Sequence, residues 1–157
     1  MVLATSGTLA AATDATQHSS RVAGLLDVYQ LPGGVLAADD GVLQYRSFAA
    51  AGSLWRVTDQ RLAGFIVSDW NWDVHAGGGQ PAPAWGTMTI STDDGAWDGA
   101  FMGIRQSDFE PVEIRASLFG EGAYDGLVAM LDITATGMSG GQTWIVDGFV
   151  LSHPMDG

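Results

Sequence analysis

Trp97-Asp98-Gly99, Tyr124-Asp125-Gly126 and, after Trp144, Asp147-Gly148-Phe149 punctuate the apolar segments of this chain. Each places a Gly beside an Asp and close to a bulky ring within an apolar run. Gly inside a strand marks a bend, a bulge or a close backbone approach, and a neighbouring aromatic ring covers the space it leaves. Recurring in this way, the pattern predicts curved β-structure of the kind that bends into a barrel.

Short apolar segments bounded by Gly, Asp, Pro or Ser fall at roughly 22–30, 41–48, 61–75, 84–92, 96–105, 111–120, 123–135 and 143–151. The punctuation between them is that of hairpins. Asp39-Asp40-Gly41, Asp93-Asp94-Gly95 and Ser139-Gly140-Gly141 supply residues that tolerate the left-handed conformations tight turns need. Gly77-Gly78-Gly79-Gln80-Pro81-Ala82-Pro83 reads as a longer loop. The best helical candidate, Ser47 to Trp55 with its Ala49-Ala50-Ala51 run, is short and interrupted by Gly52. The expectation is therefore an all-β fold, an eight-stranded antiparallel β-barrel. Residues 1–20, small and polar, form a flexible N-terminal arm in this reading, and residues 21–157 a single barrel domain.

The chain has 157 residues, enough for one domain with one core. Its 18 acidic residues face 6 basic ones, all Arg, for a net charge of −12. Such a balance repels phosphate backbones and anionic lipid, so nucleic acid is not expected as a partner. The lack of Lys removes Schiff-base chemistry, and the lack of Cys removes thiolate nucleophiles and disulfides. No run approaches the roughly 20 apolar residues of a spanning helix, so membrane insertion is not expected. No intact signal peptide is visible, which leaves both a cytoplasmic protein and a secreted one trimmed of its signal open.

Several strands are apolar on both faces. Leu127, Ala129, Leu131 and Ile133 alternate with Val128 and Met130, and Ile145, Phe149 and Leu151 alternate with Trp144, Val146 and Val150. An antiparallel sheet ordinarily keeps one wet face, so the second apolar face predicts a homo-oligomer.

Leu118-Phe119-Gly120-Glu121-Gly122-Ala123-Tyr124-Asp125-Gly126-Leu127, followed by an alternating strand and then Trp144 to Leu151, resembles the later half of allene-oxide-cyclase and dirigent-type barrels. Those proteins carry a Gly-x-Gly-x-aromatic turn there, ahead of a long strand and a closing one. The resemblance implies an eight-stranded antiparallel barrel, often oligomeric, whose interior folds an apolar substrate. The first half lacks the cyclase family's substrate-facing motif, so no catalytic residue carries over.

The polar candidates for chemistry come from the residues themselves. Asp132 and Asp147 each interrupt an apolar strand; either they are candidate catalytic carboxylates, which if buried need a partner or a raised pKa, or they form a structural ion pair or face solvent. Arg105 and Arg115 are available as partners, with Glu113 on the same strand face as Arg115. Asp69, Asn71, Asp73 and His75 share one face of a strand and could form an acid/base cluster, with Asp69 a candidate catalytic residue; their spacing of about 7 Å leaves a metal ion short of ligands, and no metal or cofactor is expected. Tyr45 and Tyr124 offer phenols to a ligand carbonyl. Trp70, Trp72, Trp97 and Trp144, with Phe101 and Met130, are candidate walls, although a small barrel also needs such side chains simply to fill its core.

The functional expectation is a barrel that binds a small apolar organic molecule, with a cofactor-independent cyclase or isomerase acting on a flexible polyketide- or isoprenoid-like chain as the leaning. Holding such a chain in a reactive fold needs few polar groups. The alternatives are a non-catalytic small-ligand carrier and a structural or interaction barrel whose interior is filled.

Overall fold

Nine antiparallel strands and one turn of 3₁₀ helix make up the computed structural model, which describes residues 19–30, 33–75, 79–106, 112–135 and 142–152. In chain order the strands are β1 (Ser19–Gln30), β2 (Val35–Asp39), β3 (Val42–Trp55), β4 (Gly64–His75), β5 (Ala82–Ser91), β6 (Gly95–Arg105), β7 (Val112–Gly122), β8 (Leu127–Ala135) and β9 (Gln142–Ser152), with the 3₁₀ turn at Gln60–Leu62 between β3 and β4. The sheet order is β1-β9-β8-β7-β6-β5-β4-β3-β2, and β1 is also paired with β3. Leu25 to Gln30 of β1 lie opposite Trp55 to Ala50, while the other edge of β1 runs against β9. These two ladders bring the eight long strands round into a barrel. The short β2 sits outside that ring on β3, with all five residues exposed.

The all-β expectation holds, with corrections to particular elements. The helical candidate at 47–55 is the second half of β3. Ala50, Gly52 and Leu54 are buried there, paired with or packed against β4, and this burial overrides the helix preference of an Ala run. Residues 61–62, expected to open a strand, belong instead to the 3₁₀ turn, which Asp59 caps by accepting a hydrogen bond from the Arg61 amide. Residues 123–126 are a turn rather than the start of β8. The expected arm lies outside the described residues except for Ser19 and Ser20 at the start of β1, as do Gly77, Gly78 and the Ser139-Gly140-Gly141 turn.

The hairpins follow the predicted chemistry. Asp40 and Gly41 both have positive φ, 44° and 79°, between β2 and β3. The β5–β6 turn closes with the Thr92 amide donating to the Gly95 carbonyl at 2.9 Å.

The core is the inward row of each strand. Ile66, Trp70 and Trp72 of β4 face Met88, Ile90 and Ala84 of β5, Trp97 and Phe101 of β6, Ile114, Ala116 and Leu118 of β7, Ala129, Leu131 and Ile133 of β8, and Trp144, Val146 and Val150 of β9. Small residues alternate with large ones so that the indoles fit. Trp70 is opposite Gly86, and Trp97 lies between Ile90 and Gly120 across the sheet. A Cβ on Gly86 would run into the Asp69 carbonyl and the Phe101 ring. The opening motifs thus divide by position: Gly99 and Gly148 are strand glycines pressed against the backbone of the next strand, whereas Gly126 serves a turn at φ 78°.

Candidate functional site

The interior has two unlike ends. At the end carrying the 3₁₀ turn, Leu62 and Trp97 are fully buried together with Ile90 and Leu118. The indole nitrogen of Trp97 donates to the Arg61 carbonyl at 2.8 Å, tying the turn across the barrel. Asp59 holds the Arg61 guanidinium, and this hydrogen bond, aided by the charge of the same carboxylate, raises the Arg61 pKa above its ordinary value against the opposing effect of burial. Tyr124 stacks on Trp97 with ring centroids 5.1 Å apart, and its hydroxyl lies 2.8 Å from Thr92 Oγ1. These contacts seal the end.

Midway, the Trp70 indole nitrogen donates to Ser68 Oγ at 2.8 Å. Ser68 is a buried polar residue, and its hydroxyl reaches the Ala50 carbonyl at 3.4 Å. The Trp70 ring meets Phe101 at 4.3 Å and the edge of Trp144 at 5.4 Å.

At the opposite end Trp72 stacks on Tyr45, centroids 4.7 Å apart and nearly parallel at 7°, and Phe48 tilts against both. Tyr45, Phe48 and Val74 are only half-buried. Strict alternation would send Tyr45 and Phe48 to opposite faces, three residues apart as they are. A β-bulge brings them together, since Tyr45 pairs with Trp72 and Phe48 with Trp70, so that Arg46 and Ser47 share one partner residue. The bulge is fixed from outside. Ser47, at φ 54°, donates its amide to Asn71 Oδ1. Arg46 donates to the Tyr45 and Trp72 carbonyls, pairs with Asp73 at 2.7 Å and lies over the Trp85 ring. Arg105 occupies the inward register of β6 at this same end, two positions beyond Gly103 and four beyond Phe101, between Ala82 and Val112.

The candidate residues therefore separate. Trp70, Trp72, Trp97, Trp144 and Phe101 are buried in the interior, whereas Met130 is 39% exposed on the outer face. Tyr45 and Tyr124 are both on the core side but at opposite ends: their cross-strand rows meet β4 at Trp72 and Ile66, about 20 Å apart at strand rise. Asp69, Asp132 and Asp147 project outward, because each occupies the strand register opposite to its buried neighbours. For Asp132 and Asp147 this is the solvent-facing alternative rather than the buried carboxylate. Asp132 does find the expected partner Arg115, Nε to Oδ1 at 2.7 Å, in an exposed pair that raises the Arg115 pKa, chiefly through that hydrogen bond. Asp147 accepts from the Gly148 amide. Of the row on β4, Asn71 and Asp73 are engaged with the bulge. Among the described residues no group of three or more His, Asp or Glu converges, and no helix is long and apolar enough to cross a membrane.

Phe48 and Arg46 are the site residues that sequence reasoning missed. The signal was Tyr45-Arg46-Ser47-Phe48 itself, two aromatics at a spacing of three inside a strand of period two.

No family model and no curated protein matches this chain. Among solved structures it is similar to a protein of unknown function from the DUF3224 family of Shewanella oneidensis MR-1, with 18% identity and a TM-score of 0.63 over 84% of this chain and 96% of that one. At this identity the likeness shows the fold.

Proposed function

We propose that this barrel binds a small, flat, apolar organic molecule against Tyr45, Phe48 and Trp72, at the end opposite the 3₁₀ turn. The observation that carries the reading is the asymmetry of the interior: one end is sealed by Leu62 and Trp97, while Tyr45, Phe48 and Val74 are left half-buried at the other. A bulge placed to turn two aromatic rings onto one indole stores backbone strain that core filling alone does not require. Stacked rings offer apolar area with little rotamer freedom to lose, which suits an aromatic or polyene ligand.

The reading is of a binding barrel first. A cyclase or isomerase also needs a group that holds or moves a proton at the ligand, and the outward aspartates are not placed for it. Among the described residues Tyr45 and Arg105 are polar candidates on the inward register at this end, so turnover in this barrel would draw on the phenol, the guanidinium or both.

Titration with the neutral probe N-phenyl-1-naphthylamine tests the proposal. Saturable binding at one molecule per chain, with quenching of indole fluorescence, is expected. Probe fluorescence that never saturates would refute it.

A further inference from the structure

The outer face of β6 to β9 carries large apolar side chains in water: Met102 is 70% exposed, Ile145 64%, Phe119 60%, Phe149 51%, Ile104 48% and Met130 39%. With a full side-chain area on the order of 200 Å² for each, they present roughly 600 to 700 Å² of apolar surface. The largest patch on an ordinary monomer is about 300 to 600 Å², and a stable pair of proteins buries about 800 Å² per partner. Across the middle of the face run Arg115 and Asp132, with Asp147 next to Asp132. A groove of about 340 Å³ passes beside them, lined by Met102, Ile104, Glu113, Arg115, Asp132 and Thr134 among others.

We propose that this face joins two copies of the chain about a two-fold axis lying along the strands between β7 and β8. The register makes the face complementary to itself. Cross-strand neighbours form rows: Met102-Arg115-Asp132-Asp147, Ile104-Glu113-Thr134-Ile145, Ala100-Ser117-Met130-Phe149 and Asp98-Phe119-Val128-Leu151. An axis in that position reverses each row onto itself, β7 meeting the partner's β8 and β6 its β9. Arg115 then faces the partner subunit's Asp132, Ile104 the partner subunit's Ile145, and Phe119 the partner subunit's Val128. Phe149, the bulkiest member of its row, faces the partner subunit's Ala100, the smallest. The mismatches are Met102 against the partner subunit's Asp147 and Asp98 against the partner subunit's Leu151, both between the outer strands β6 and β9.

Charge selects a second copy over other occupants. A chain at −12 repels itself wherever it shows only carboxylates. On this face Arg115 is presented at the centre, and two copies alternate Arg115 and Asp132 in a square of opposite charges. A lipid surface would offer Glu113, Asp132 and Asp147 no counter-charge, whereas a second copy brings the partner subunit's Arg115 to Asp132. An isologous contact of this kind needs one patch that fits its own image, which the rows supply.

Sedimentation velocity on the full chain at micromolar concentration tests the proposal, with circular dichroism as the check of folding. The wild type should sediment as a dimer. Ala100→Glu, which fills the place of the partner's Phe149, should weaken the dimer by about tenfold or more; Ile145→Glu serves the same purpose if that variant misfolds. Arg115→Asp should dissociate the dimer, and adding Asp132→Arg should restore it. A wild-type monomer would overturn the proposal, and one that co-sediments with phosphatidylcholine vesicles would assign the face to lipid. A dimer indifferent to both glutamate substitutions would place the contact elsewhere and overturn it equally.

Discussion

Trp97 donates its indole hydrogen to the main-chain carbonyl of Arg61, so the most buried ring of the barrel and the 3₁₀ turn that seals its end hold each other. Trp97→Phe removes the donor, leaves that carbonyl without its partner and opens space beside Tyr124. The expected loss is about 2 to 4 kcal/mol, combining the unmade hydrogen bond with the cavity term. Urea unfolding checks it. A shift within error would mean that the turn is held by apolar contact alone.

Gly86 and Gly79 separate two reasons for glycine. At Gly86 a methyl group meets the Asp69 carbonyl and the Phe101 ring, so Gly86→Ala forces strands β4 and β5 apart and should cost about 3 kcal/mol or more. At Gly79 nothing lies within 4 Å but φ is 76°, so Gly79→Ala should cost about 1 to 2 kcal/mol of backbone strain alone. Thermal unfolding of the two variants should keep that order.

The ion pair between Asp59 and Arg61 gives a pH test with a defined sign. The folded guanidinium pKa is raised, so its contribution is fully present below the ordinary Arg value and is lost only as pH climbs through the raised one. Between neutral pH and pH of about 10, the stability difference between wild type and Asp59→Asn should therefore stay flat. Its size should be about 1 to 2 kcal/mol, from the lost cap and the lost charge partner. A difference that shrinks over that range in denaturant titrations would contradict the assignment.

How much of this was legible beforehand differs by element. Asp40-Gly41, Asp94-Gly95 and the alternation of β7, β8 and β9 announced hairpins and strands because each rule acts within a few residues. The Ala49 to Gly52 segment was ambiguous, since its strand state depends on β4 lying beside it, which is a fact of tertiary packing. Trp70, Trp72, Trp97 and Trp144 lie inside, but size alone does not decide it, since Trp85 stands on the outward register beneath Arg46. Asp132 and Asp147 stayed open between core and solvent because an apolar strand with two greasy faces does not declare which face is the core, and a register shift by one residue exchanges them. The bulge at Arg46-Ser47 was hidden for a related reason: its residues are held by Asn71, Asp73 and Trp85, all far along the chain.

Arg46 makes the bulge testable. Arg46→Ala loses the Asp73 pair, two carbonyl contacts and the Trp85 face, and should lower stability by about 1 to 3 kcal/mol. If the bulge aims Phe48 at Trp72, the same change should also weaken binding of N-phenyl-1-naphthylamine by several-fold. Thr92→Val, which disturbs Tyr124 at the sealed end, should lower stability without touching probe affinity.

The most direct test of a ligand site at the end opposite the 3₁₀ turn is the probe titration repeated on Val74→Trp, which adds one more ring beside Trp72. Saturable binding in the wild type that falls by about tenfold or more in this variant, its fold intact by circular dichroism, is the predicted result. Equal affinity in the two proteins would contradict it.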